Sequence, residues 1–258
     1  MAADKIIFPD WPAPANVVAL ATTRNGLAGF AGASVEPYSH FNLGDHVDDL
    51  PASVSKNRDA LLSACDGLNA IAWLQQVHGT EVHFVSAERG EVAVADASIS
   101  HIQGLASAVL TADCLPVLFC KIDGSAVAAA HAGWRGLLAG VLANTVKAFN
   151  CPPQELMAWF GPAISQAHFE VGPEVYRAFI NGFEGVSKDQ VDAAFSPSTN
   201  KQGHFYADLN ALAKAQLHNL GVAWIGGGDL CTYADAERFY SFRRDGQTGR
   251  QVSLIYRR

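Results

Sequence analysis

The sequence has no surplus of positive charge: lysine and arginine number 18 against 25 aspartates and glutamates, a formal net charge of −7. Such a chain presents no general field to nucleic acid or anionic lipid, so any anionic ligand has to be met locally. The five cysteines, at 65, 114, 120, 151 and 231, form no CxxC pair. An odd, scattered set argues against a disulfide framework and fits a reducing cytoplasm. No apolar run approaches the ~18 residues needed to cross a bilayer, and MAADKIIFPDWPAP lacks a charged start followed by an apolar stretch. The expectation is a cytoplasmic protein, neither secreted nor membrane-bound. No repeat, low-complexity tract or Pro/Ser linker marks a boundary, so the 258 residues are read as one domain spanning 1–258. The GGGD at 226–229 lacks the GxxxxGK[ST] or strand-linked GxGxxG context of a nucleotide loop. The nine histidines include no His-x-His pair.

What is there suits a packed interior, with 49% hydrophobic and 17% charged residues. VVALATT (17–23) and IAWLQQV (71–77) read as strands, and Pro51 to Ala64, carrying Val54, Leu61 and Leu62, reads as a helix. GLASAVLTAD and LPVLFCKIDG read as strand material ending in a hairpin turn at Asp123-Gly124, followed by the small apolar run AVAAA. After HAGWRG the segment LLAGVLANTVKAF has helical spacing and must stop at Cys151-Pro152-Pro153. LMAWFGPAI reads as a strand, PEVYRAFI and ADLNALAKAQLHNLG as helices with Gly221 at a C-cap, and VSLIY as a closing strand. Strands grouped centrally with helices interspersed irregularly predict an α+β fold, a single layered domain with mixed β-sheets flanked by helices.

Three residues stand at the edges of apolar strands beside turn signals: His78 in QQVHGT, Cys114 in TADCLP and His131 in AAAHAG. Two imidazoles and a thiolate are a donor set for Zn²⁺ with a fourth position left open, the mark of a catalytic rather than a structural zinc. Cys–His nucleophilic catalysis is the rival reading of the same residues. His131 at a glycine bend is expected to face a cleft, with bare glycine N–H groups and Arg135 beside it as an anion cradle. Arg135 would otherwise be a surface cation. Asp113, next to Cys114, can act as an acid or base or can cap a turn. In FYSFRRDGQTGR, Arg243 and Arg244 precede a DG turn, where they are either solvated or close over an anionic group.

Taken in order, TTRNG, FNLGDHV, QQVHGTEV, DASIS, TADCLPVLF, HAGWRGLLAGVL, WFGPAISQAHFEVG, GGDLCTY and FYSFRRDGQTGR resemble the bacterial laccase-domain family, also called polyphenol oxidases or peptidoglycan-editing factors. The resemblance covers nearly the whole chain. It departs in the first loop, where NGLAGFAGASVE stands in place of the double glycine that commonly follows TTR. It implies a purine nucleoside phosphorylase acting with phosphate on adenosine, inosine and methylthioadenosine, with adenosine deaminase activity. It also implies one His–Cys–His zinc site, which falls on His78, Cys114 and His131. Asp113 and Arg135 are then the catalytic candidates, and Asn42, Arg243 and Arg244 the substrate contacts. Cu²⁺ can occupy the same donors in vitro because it outcompetes Zn²⁺ for nitrogen and sulfur. A multinuclear copper oxidase needs many closely spaced histidines, which this chain lacks. For deamination, zinc would lower the pKa of water from about 16 to roughly 7. Three other readings stand beside this one: a cysteine or zinc hydrolase that edits peptidoglycan precursors, a copper-dependent phenol oxidase, and a non-catalytic binder that buffers metal.

Overall fold

A computed structural model describes residues 5–88 and 90–258, and two sheets dominate it. The first runs in the order Ile6–Ile7, Val17–Thr22, Gln251–Arg257, Leu105–Thr111, Ala70–Ala72. The second runs Trp224–Gly227, Leu156–Phe160, Leu115–Lys121, Val127–Ala132, Ala97–Ser100, Val82–Phe84. Each mixes parallel and antiparallel pairs: Leu156–Phe160 runs antiparallel to Leu115–Lys121 but parallel to Trp224–Gly227. The fold is α+β, as the sequence predicts.

Period-2 alternation places these sheets face to face. Along Leu115–Lys121, Leu115, Val117 and Phe119 face a core shared with the helices Val141–Ala148, Pro173–Gly182 and Leu209–Leu220, whereas Leu118 and Cys120 face the other sheet. Val127 and Ala129 meet Leu118 and Cys120 there, opposite Ala19, Ala21, Val109 and Ile255 of the first sheet. The outer face of the first sheet, through Leu20, Ala108, Leu110, Val252 and Leu254, packs with Leu61 of the helix Pro51–Ala64. The layers are therefore helix, sheet, sheet, helix. Small residues in the alanine run allow the close approach of the two sheets.

The elements follow from local chemistry where the signals are strong. Proline at the first turn starts Pro51–Ala64 and Pro173–Gly182. The Asp208 carboxylate accepts Ala211 N–H to cap Leu209–Leu220, which ends on Gly221 at φ 91°. The Asp123-Gly124 turn joins Leu115–Lys121 to Val127–Ala132 as an antiparallel pair.

Three readings need correction. IAWLQQV is two short strands, Ala70–Ala72 and Leu74–Gln75, which belong to different sheets. The helix expected after HAGWRG begins inside it, at Trp134, and is broken in two by Gly140 at φ 97°, giving Trp134–Ala139 and Val141–Ala148. His131 does not sit at a bend: it lies within the strand Val127–Ala132, 3% exposed, on the same parity as Val127 and Ala129. It therefore points into the space between the sheets, near its end. No helix among the described residues is long and apolar enough to cross a membrane.

Candidate metal centre

Two of the three predicted ligands lie on backbone that resists the conformation it adopts. His78 has φ 59° and Asp113, immediately before Cys114, has φ 99°, values that side chains carrying a Cβ rarely take. Each is held by a carboxylate. The backbone N–H groups of Val77, His78 and Gly79 converge on Asp96 at 3.1, 2.9 and 2.6 Å, a nest of three successive donors around one anion. Asp113 accepts the Thr232 hydroxyl at 2.7 Å and the Arg243 N–H at 2.7 Å, one on each carboxylate oxygen, while its carbonyl accepts Ile164 N–H at 2.9 Å. Both loops are fixed in this way, and they bring their side chains to His131.

The donor atoms of His78, Cys114 and His131 all lie within 4.8 Å of one another. Cys114 Sγ is 3.8 Å from His78 Nε2, and the two imidazole rings meet edge-on with centroids 4.8 Å apart. Tetrahedral Zn–N and Zn–S bonds separate neighbouring nitrogen and sulfur ligands by about 3.6 Å, so this triangle fits a single ion with little adjustment. His131 gives its Nδ1 to Asp96 at 2.8 Å, leaving Nε2 for the site. That carboxylate–histidine pair is the arrangement that fixes the tautomer of a metal-binding imidazole. Asp96 is fully buried and supports two ligands at once. In the sequence its one signal is an acid at the head of a buried strand of small residues, DASIS, and that alone assigns it no role.

Gly133 closes the centre from one side. A Cβ built there would lie 2.8 Å from His78 Cδ2 and 2.9 Å from Cys114 Sγ, whereas the glycine's own φ of −60° is ordinary. Gly133→Ala is therefore a steric change with no backbone strain. Retained metal is expected to fall by about tenfold or more, the range seen when the surroundings of a ligand are disturbed. Metal analysis beside a circular dichroism spectrum checks it, and a variant that keeps full metal content refutes it.

Charge is shared unequally among the ligands. Burial works to raise the Cys114 thiol, but His131 and His78 outweigh it and lower it to about 6. Burial works to lower His131, but Cys114 and Asp96 raise it to about 9. Asp96 feels the same opposition, burial pushing it up and His131 with the Gly79 and Val77 N–H groups bringing it below the carboxylate range. Both shifts favour a thiolate beside an imidazolium in metal-free protein. The Cys114 contribution to stability is present above the ordinary thiol value and is lost as pH falls through about 6. The His131 contribution is present below the ordinary imidazole value and is lost as pH rises through about 9. The expected outcome is a thiolate absorbance that disappears near pH 6 and is missing in Cys114→Ala. A transition near the ordinary value of 9 contradicts it.

The other predicted residues separate into two groups. Arg135 is exposed, its guanidinium 4.3 Å from the Trp134 ring. Arg243 is exposed too, and its Nη1 donates to the Glu170 carbonyl at 2.8 Å. Both keep donors for a ligand. Arg244 does not: its guanidinium is spent on the carbonyls of Thr232, Tyr233 and Phe239 and on Asp245, so it clamps its own loop. Asn42 is fully buried, giving Nδ2 to Gly44 O and Asp49 and accepting the Gly44 and Arg250 N–H groups, which leaves nothing for a substrate. Asp113, 8% exposed with both oxygens engaged, is an anchor for the Cys114 loop rather than a free proton donor. The first loop, where the sequence departs from the resemblance, is tied down by Asn25 Nδ2 to Glu237 O and by Ala33 N–H to Asn57.

A family model described as multi-copper polyphenol oxidoreductase laccase matches residues 18–258. The chain belongs to this family. Within the laccase family it is 48% identical over 250 residues to a purine nucleoside phosphorylase of Pseudomonas aeruginosa, covering 97% of each chain. It is 47% identical over 253 residues to the purine nucleoside phosphorylase YfiH of Escherichia coli, covering 98% of each. The crystal structure of a Neisseria meningitidis protein superposes with a TM-score of 0.89 at 46% identity, over 98% of this chain and 99% of that one. YlmD of Geobacillus stearothermophilus superposes at 0.87 with 28% identity, over 100% and 98%. Among the described residues of this laccase-family chain, His78, Cys114 and His131 are the one group of three or more histidine, cysteine and acidic side chains gathered closely enough to hold an ion.

Proposed function

We propose that this chain is a zinc-dependent purine nucleoside phosphorylase that also deaminates adenosine. The convergence of His78, Cys114 and His131, with Asp96 fixing the His131 tautomer, is the observation that carries the reading. Relatives named purine nucleoside phosphorylase at 40–48% identity support the phosphorylase half. Zinc held by those three residues would supply Lewis-acid chemistry. The donor set also accepts copper, and we take zinc as the working metal because two imidazoles, one thiolate and an open position suit it.

In phosphorolysis an oxygen of phosphate forms a bond to C1′ of the ribose as the bond from C1′ to the purine nitrogen breaks. The electron pair leaves on the purine, which takes up a proton. This chain's residues position the parts. Asp96 and Asp113 hold the His78 and Cys114 loops rigid, which keeps the ligands prearranged. Arg135 and Arg243 stay in the reading as exposed cations free to contact the phosphate or ribose, while Asn42 and Arg244 act on the protein itself.

The decisive assay incubates metal-quantified protein with inosine, with and without phosphate, and separates the bases by chromatography. Hypoxanthine released only with phosphate is expected. Adenosine converted to inosine without phosphate tests the deaminase half. Serine or alanine released from a muramyl-linked precursor, with no hypoxanthine from inosine, replaces this reading with a peptidoglycan-editing hydrolase.

A further inference from the structure

The GQTGR segment holds a basic residue that sequence reasoning left without an assignment. Arg250 precedes the strand Gln251–Arg257, whose first residue pairs with Thr111. Ala112, Asp113 and Cys114 follow Thr111 in line, so the ladder sets Arg250 beside the turn that presents Cys114. Burial pulls the guanidinium below its ordinary range, while the charges of Cys114 and Asp113 reach it from across the turn and oppose that pull. Arg250 thus lies beside the Asp113–Cys114 turn and is not among the three candidate ligands.

Its guanidinium faces the Phe242 ring at 6.0 Å and carbonyl oxygens rather than a carboxylate. Arg58, Arg238 and Arg244 are each paired with an aspartate. The half-buried Arg250 donates from Nη1 to the Thr248 and Gly249 carbonyls, at 2.9 and 3.0 Å, and among the described residues no carboxylate lies within salt-bridge distance of it. A guanidinium has five N–H donors, and among the described residues those on Nη2 and Nε meet no protein acceptor. Removing a charge from water without a counter-charge costs free energy that a bound anion offsets.

The first loop braces the backbone of this residue and flanks its stem. Asn42 Oδ1 accepts the Arg250 N–H at 2.8 Å and the Leu43 N–H donates to the Arg250 carbonyl at 3.1 Å. At Gly44 a Cβ would lie 2.7 Å from Arg250 Cγ, so glycine leaves room for the aliphatic stem to pass. The NLG of residues 42–44 therefore positions an arginine, which accounts for a motif that touches no ligand itself.

We propose that Arg250 is the anion clamp of this centre and holds the orthophosphate used in phosphorolysis, an inference that rests on the phosphorylase reading above. A guanidinium fork matches two oxygens of a phosphate, which a lysine ammonium cannot do. With zinc-loaded protein, Arg250→Gln raises the KM for phosphate by about tenfold or more, the loss expected for a charged hydrogen-bonded contact. The KM for inosine, the zinc content and the thermal midpoint stay near wild type, and Arg250→Lys falls between the two. Calorimetric titration of the same proteins with orthophosphate shows binding to wild type that Arg250→Gln loses. If inosine is not phosphorolysed at all, that titration alone decides: Arg250-dependent orthophosphate binding sustains the clamp, and its absence overturns it. Equal phosphate binding by wild type and Arg250→Gln, or parallel rises in both KM values, overturns it as well. So does binding of inosine 5′-monophosphate through Arg250 with none of orthophosphate. Should Arg250→Gln fail to fold, Arg250→Lys and the wild-type titration apply the same criteria.

Discussion

Cys114→Ala is expected to take the protein from about one zinc per chain to below roughly a tenth, because a site with three protein ligands has no spare donor when the thiolate goes. Inosine phosphorolysis is expected to fall with it to background. The loop should survive the change, since its shape is set by Asp113 through Thr232, Arg243 and Ile164 rather than by the sulfur. Cys114→Ser separates size from chemistry: it keeps a small polar atom in place but offers a hydroxyl where zinc prefers an anionic sulfur. Atomic absorption on the purified variants, paired with the base-release assay, measures both quantities. A Cys114→Ala protein with normal zinc and normal turnover would remove the basis of the proposed function.

Asp96→Asn should be the most damaging change at a residue that is not itself one of the three candidate ligands. One carboxylate oxygen accepts His78 N–H and the His131 Nδ1 proton, while the other accepts Val77 and Gly79 N–H. An asparagine of the same shape must turn an NH₂ toward one of these pairs. Facing the backbone, it sets donor against donor and loosens the left-handed turn at His78. Facing His131, it makes Nδ1 an acceptor, which leaves the imidazole proton on Nε2 and blocks the metal-binding nitrogen. Either way zinc affinity drops by about 10–100-fold. The unpaired buried group costs about 1–3 kcal/mol of stability in addition. Titration with a competing chelator reads the first effect and thermal unfolding of metal-free protein reads the second. Loss of stability without loss of affinity would make Asp96 a brace for the fold alone.

The sequence was readable where one element depends on its own residues. Pro51–Ala64 shows itself through an initial proline and the spacing of Val54 and Leu61, and the hairpin at Asp123-Gly124 through its turn pair. His78, Cys114 and His131 could be named because each is a chemically distinctive residue at the end of a bland apolar segment. Features that depend on distant partners were hidden. Nothing near Asn42 announces that its amide meets the backbone of Arg250, 208 positions away, and nothing near Arg244 announces that its donors are consumed by carbonyls of its own loop. The break at Gly140 was missed because leucine, valine and alanine continue across it at helical spacing while its φ of 97° turns the chain. His131 reads as a bend residue because Gly133 and Gly136 follow it, yet the strand runs on through Ala132, and the small alanines before it allow two sheets to lie close together.

The place of Gln251–Arg257 in the middle of its sheet, between Val17–Thr22 and Leu105–Thr111, also sets an order of events during synthesis. A ribosome emits all three metal-binding side chains well before it emits the strand that joins those two neighbours. Until that strand arrives, His78, Cys114 and His131 have only part of the frame that gathers them in the folded protein.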